Sequence, residues 1–192
     1  MYDYYNLMRE SMDDRVLNFH DGSIWRLGNM LAAKHWLGYK TKGEPQFEPS
    51  EVHGVFEAEQ LKGDRPGLTA IIKIRIEVPL NHQALEPPQE RAKYAADDQY
   101  GAFTERETDT LGALTKAHCT VTPKLYLLHP ALQDESILRG KDGYEYWMPG
   151  GYIVYIVMQK LPAVPLDWNI FWNEFSPGKR TELRASFREG CL

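Results

Sequence analysis

Residues 68–78 (LTAIIKIRIEV) carry the clearest alternation in the chain. Ile72, Ile74, Ile76 and Val78 fall on one side of an extended segment. Ile71, Lys73, Arg75 and Glu77 fall on the other, the period of two that defines a strand. Residues 52–61 (VHGVFEAEQL) read as a second strand. The turn joining the two, KGDRPG at 62–67, supplies Gly, Asp and Pro. Residues 122–129 (TPKLYLLH) and 151–160 (GYIVYIVMQK) read as two more strands, and the unbroken apolar run of the latter predicts burial on both faces. KDGYEYWMPGGY, at 141–152, has the composition of turn and hairpin.

Helical spacing is expected in five places. Residues 4–19 predict a first helix, and 27–37 (LGNMLAAKHWL) a second, because Leu27, Met30, Leu31, Lys34 and Leu37 recur near helical intervals. Gly38 and the TKGEP that follows would end it. Residues 101–117 predict a third helix, Phe171 and Trp172 sit on a short one, and Ser176-Pro177 reads as a cap opening a helix over 178–189. The polar stretch 79–100 predicts a long mobile connection, and 130–143 a loop. The order predicts an α+β fold: a largely antiparallel sheet of about five strands with one packed helix.

The composition fits this picture. The chain has 192 residues, of which 43% are hydrophobic, room for one ordinary core. A net charge of −5 without a basic run gives no footprint for nucleic acid. The N-terminal MYDYYNLMRESMDD has no apolar signal region, and the longest apolar run, Ile153 to Met158, is far too short for a membrane span. Cys119 and Cys191 are too few for a disulfide scaffold, so a reducing, cytoplasmic setting is expected.

Candidate chemistry begins on the third helix. At about 100° per residue, Phe103, Leu111 and Leu114 share a narrow stripe, and Glu107 falls in its middle. A carboxylate on a buried face is costly unless a cation meets it. Lys73, on the same strand face as Ile71, is the natural partner, and its ammonium can also touch a phosphate. The competing reading makes Lys73, Arg75 and Glu77 the solvated face of their strand and puts Glu107 at the solvent edge of its helix. Other pairs read as structural: His20 with Asp21 at a helix end, His118 with Cys119 lacking spaced metal partners, and Asp97-Asp98 in a polar loop. Trp168, Phe171, Trp172 and Phe175 form an aromatic cluster that is either packing or a protein-partner surface.

These segments resemble the protein-kinase-like fold, and most closely aminoglycoside-phosphotransferase-like and fungal kinase-like proteins. AIIKIRI (70–76) looks like the third strand with its phosphate-binding lysine, here Lys73. ERETDTLGALTKAHCTVTPKL (105–125) looks like the C-helix running into the fourth strand, with Glu107 at the ion-pair position. GGYIVYIVMQKLPAVPL (150–166) looks like the fifth strand and hinge, and PGKRTELRASFREG (177–190) is similar to the helix that begins the large lobe.

The resemblance implies an N-terminal helical extension over 1–45, a kinase-like N-lobe over 46–160, and the hinge and first helices of a truncated C-lobe over 161–192. It implies ATP as ligand, with Mg2+. Lys73 would hold the phosphates, oriented by Glu107. Ile71 would cover one face of the base, Met158 would stand behind the adenine, and Gln159 and Leu161 would bond it through backbone C=O and N–H. Pro162 has no N–H to give. Two departures stand beside this. No G-x-G-x-x-G precedes Lys73, only Gly54 in the expected first hairpin, and neither an H-x-D-x-x-x-x-N loop nor a metal-binding D-x-D or D-F-G occurs before Leu192. The expectation is therefore a nucleotide-binding lobe inactive by itself. The alternatives are a pseudokinase-type protein that binds a partner through its hinge and aromatic surface, and an unrelated α+β interaction domain.

Overall fold

The computed structural model describes residues 4–36, 38, 49–80, 83–96, 100–133, 146–162 and 170–190. Six antiparallel strands form one sheet: β1 (Val16–Asn18), β2 (Ile24–Trp36), β3 (Ser50–Lys62), β4 (Thr69–Val78), β5 (Leu125–Leu132) and β6 (Tyr152–Gln159). Their order across the sheet is β1-β2-β3-β4-β6-β5. Among the described residues α1 (Tyr4–Met12), the single turn α2 (Pro88–Arg91) and α3 (Ala102–Lys116) accompany it, with α4 (Pro177–Gly190) after the last strand. The fold is α+β, as the pattern predicts. None of the helices among the described residues is long and apolar enough to cross a membrane.

The central strand β4 explains the layering. Its alternating residues Ile72, Ile74 and Ile76 are fully buried, and they pack with Phe56 of β3 and with Leu7, Met8 and Met12 of α1. The opposite face is buried as well. There Ile71 joins Val154, Ile156 and Met158 of β6 and Leu111 of α3 in a second apolar cluster. The sheet is thus covered by α1 on one face and α3 on the other. The N-terminal segment is part of this architecture and not an appendage beside it.

The expected helix over 27–37 is the clearest correction. Residues Ile24–Trp36 are a strand, paired along its length with β3. The register slips between Leu27 and Met30 and again between Met30 and Ala32. Each irregularity adds a residue, so the inward-facing positions fall three apart instead of two and imitate helical spacing. Pairing with β3 then overrides the helix preference of Leu, Met and Ala. The first helix is also shorter than expected. It ends at Met12 because Asp14 takes a left-handed φ of 54°, and the remainder of the expected span holds β1.

Smaller differences have local causes. β5 runs to Leu132, so Pro130 lies in a strand and not in a loop. β5 is an edge strand, where the missing N–H of proline costs no ladder bond. The connection over 79–100 is partly ordered: Gln83–Leu85, Pro88–Arg91 and Ala92–Tyr94 form helical turns, and Gln83 and Arg91 are buried. Phe171 and Trp172 lie on the helical turn Ile170–Glu174, and α4 starts at Pro177, behind Ser176. Trp168, Asp97, Asp98 and Cys191 lie outside the described residues.

Gly54 is needed for packing. A Cβ at that position would come within 2.6 Å of the Phe56 ring and 2.9 Å of Met8. Gly112, inside α3, has nothing within 4 Å of the same virtual atom. The two Gly→Ala substitutions should therefore have opposite signs. Gly54→Ala should lower the unfolding free energy by about 1–3 kcal/mol through overpacking. Gly112→Ala should raise it by about 0.5–1 kcal/mol through helix propensity. Urea unfolding midpoints at constant m-value check both.

Candidate functional site: a cation-lined cleft between the sheet and the third helix

Lys73 and Arg75 stand two residues apart on β4 and so share a face. That face looks toward α3. The Lys73 ammonium donates to Glu107 Oε1, and the Arg75 guanidinium donates to Glu107 Oε2, so both oxygens of one carboxylate are used. The expected Lys73–Glu107 pair is present, and the reading of these side chains as a solvated strand face is set aside. Burial pushes the Glu107 carboxyl up, but the bonds and charges of Lys73 and then Arg75 outweigh it, leaving the group below its ordinary value.

A second carboxylate lies behind the first. Glu51, near the start of β3, is 2% exposed and collects four partners. Thr104 of α3 donates its hydroxyl at 2.7 Å, the Tyr152 hydroxyl of β6 donates as well, His53 bonds through Nε2 at 2.7 Å, and Arg75 approaches at 3.5 Å. The His53 ring also lies against Arg75, whose Nη1 is 3.0 Å from Nε2 and 3.3 Å from Nδ1. Burial acts to raise the Glu51 carboxyl, yet the bonds from His53, Tyr152 and Thr104 bring it below the ordinary range. Burial, and then the neighbouring Glu51 charge, push the Tyr152 hydroxyl far above the usual tyrosine range, so it remains a donor. Tyr152 also accepts from the Gly101 N–H at 3.2 Å. Glu51 thus ties down the first turn of α3, and Glu107 ties down the next.

In front of this network is a cleft of about 260 Å3. Ala32, Ala33, Lys34, His53, Gly54, Val55, Lys73, Arg75 and Glu107 line it. Three cations against one carboxylate leave the lining net positive. Lys34 forms no ion pair with any described residue. The donor set, two ammonium groups and a guanidinium on a rigid sheet, suits an oxyanion such as phosphate.

The other expected site residues lie elsewhere. Met158 is buried in the cluster beneath α3, directly opposite Ile71 on the neighbouring strand. Gln159 ends β6, with its N–H on the Lys124 carbonyl at 2.8 Å. Leu161 is half-buried just beyond, and Pro162 is exposed. None of these four, nor Ile71, lines the cleft.

Glu51, His53, Arg75 and Lys34 escaped the sequence reading. Arg75 was visible on the Lys73 face, and Glu51 and His53 share one face of their strand. What no spacing reveals is that β3 sets His53 opposite Arg75.

The minor candidates are structural. Asp21 accepts the Ser23 N–H in the turn between β1 and β2, and His20 stacks on His129, so this pair belongs to a hairpin turn and not a helix end. His118 closes α3 with a φ of 55°, and Cys119 donates its thiol to the Gly190 carbonyl. Among the described residues there is no group of three His, Cys, Asp or Glu able to hold a metal ion. Phe171 and Trp172 stack edge to face, with Arg180 and Arg184 over the rings.

Comparison with protein-family models, with curated protein sequences and with solved structures gives no match to this chain.

Glu51 and Glu107 both sit below their ordinary values in the folded chain. Their contribution is complete above the unfolded carboxyl value, about pH 4.3, and is lost as pH falls through the lower folded values. Thermal melts should therefore show stability falling below about pH 4.3. Glu107→Gln should give a less stable protein at pH 7 whose melting temperature depends less steeply on acid. An unchanged acid limb in that variant would remove Glu107 from the network.

Proposed function

We propose that this chain is the nucleotide-binding lobe of a kinase-like phosphotransferase. Lys73 contacts the phosphates of ATP and Glu107 positions it. The observation that carries this reading is the Lys73–Glu107 ion pair at the head of a cation-lined cleft. Element order supports it too. Counting from β2, the lysine lies on the third strand, the glutamate on the helix that follows, and two more strands come next, the arrangement the resemblance requires. Arg75 shares Glu107, which leaves Lys73 free to turn toward an anion without unpairing the carboxylate.

The adenine contacts assigned to Ile71, Met158, Gln159 and Leu161 rest on the resemblance alone. Magnesium accompanies ATP in proteins of this kind. The testable activity is binding, not turnover. A second reading, a pseudokinase-type protein that docks a partner, draws on α4, which buries no side chain among the described residues and leaves Phe187 exposed, as Trp172 is on the preceding turn.

Isothermal titration with ATP tests the first reading. Wild-type protein should bind, and Lys73→Ala should weaken binding at least about tenfold. Melting should be little changed, because Arg75 keeps Glu107 paired. ATP affinity indifferent to Lys73→Ala would sink the proposal.

A further inference from the structure

Beside the cation-lined cleft, where Ala32, Ala33 and Val55 are the apolar residues, the outer surface of the sheet carries paired charges. Glu57 of β3 lies directly across from Ile71 of β4. Its carboxylate is bonded to Lys160, just past the end of β6, at 2.6 Å. β3 and β6 flank β4, two strand spacings or about 9.6 Å apart. The Glu57–Lys160 bridge therefore crosses over β4 at Ile71, on the face where the resemblance would seat adenine. Arg26 and Glu59 form a second pair alongside, at 2.7 Å. The shallow hollow here, about 190 Å3, is lined by these four charged residues with Asp14, Gly28, Thr69 and the buried Leu27 and Ala58.

Exposed ion pairs are weak, so a ligand could part this bridge. Doing so leaves a carboxylate, Glu57, against the face of an electron-rich base. Sites that bind by stacking use apolar walls with a few aimed polar groups, and beyond Val55 this face of β3 is charged, at Glu57 and Glu59. Size agrees: the cation-lined cleft, at about 260 Å3, is below the roughly 300–1,000 Å3 typical of drug-sized ligand pockets. The volume enclosed among the described residues is of a size for phosphate groups.

Resting on the phosphate-site reading above, we infer that this site selects its ligand by the polyphosphate and not by the base. The ligand class is inorganic polyphosphate and nucleoside triphosphates without preference among bases. Lys34, Lys73 and Arg75 supply the affinity. Glu57, held by Lys160, denies the base a stacking surface and so sets the specificity.

Titration of the full chain with ATP, GTP and inorganic tripolyphosphate at one ionic strength tests this. The three affinities should agree within about threefold, and Lys73→Ala should weaken all of them at least about tenfold. Glu57→Val, which gives β3 an apolar residue that strands accept, should raise ATP affinity over tripolyphosphate by about tenfold. ATP binding at least about tenfold tighter than both GTP and tripolyphosphate in the wild type would overturn the inference and leave the nucleotide-lobe reading intact. An unchanged ratio in Glu57→Val would overturn the role given to Glu57. Failure of all three ligands to bind would overturn the inference and the phosphate-site reading together.

Discussion

A carboxylate turned toward a sheet must find its cations there, and α3 turns Glu107 toward β4. Lys73 and Arg75 meet it, one on each oxygen. Both cations then need a fixed place, and the strand supplies it, since residues two apart on a pleated backbone point the same way. Behind them Glu51 balances Arg75 and takes hydrogen bonds from Thr104 and Tyr152. Removing one member of such a buried set leaves another charge without its counterion, which costs far more than the intact pair gains. The network therefore locates α3 more than it stabilises the chain. It fixes two successive turns of the helix against β3, β4 and β6, and the cleft is the space left in front.

Holding charges in place requires a rigid floor, and the far face of β4 provides it. Ile72, Ile74 and Ile76 are sealed beneath α1 by Leu7, Met8 and Met12. Gly54 has no side chain because Met8 and Phe56 occupy the volume one would need. An N-terminal helix with no chemistry of its own thus supports the strands that carry His53, Lys73 and Arg75. The Ile71 face has the opposite division. Its inner part, with Val154, Ile156, Met158 and Leu111, is apolar and closed, while its outer part carries Glu57, Glu59, Arg26 and Lys160.

The legibility of the site followed the range of the interactions that build it. Lys73 and Glu107 could be paired from the sequence because each broke a local pattern: a cation in the strongest strand, and an acid on an apolar helical stripe. The stripe itself was read slightly out of phase. Thr104 and Thr108 are the buried residues of α3, whereas Phe103 is 49% exposed and rests against Trp36. Thr104 carries no apolar signal, yet it is buried, with Glu51 accepting its hydroxyl. Glu51, in turn, lies just outside the strand expected over 52–61. Its importance arises from Thr104, His53, Arg75 and Tyr152, residues from 2 to 101 positions away.

By itself the sequence determined what depends on near neighbours. It set the α+β class, the two faces of β4, the extent of α3 to within a residue or two, and the need of Glu107 for a cation. Those follow from alternation and helical spacing, which the chain carries wherever it folds. Only the tertiary structure decided that residues 24–36 become a strand, since the pairing with β3 and the bulges that hide its period belong to the sheet. Only it decided that Arg75 shares Glu107, that Glu51 anchors α3, and that the Glu57–Lys160 bridge crosses Ile71. Each of these joins residues brought together by strand order, and a linear pattern does not encode which strands lie side by side.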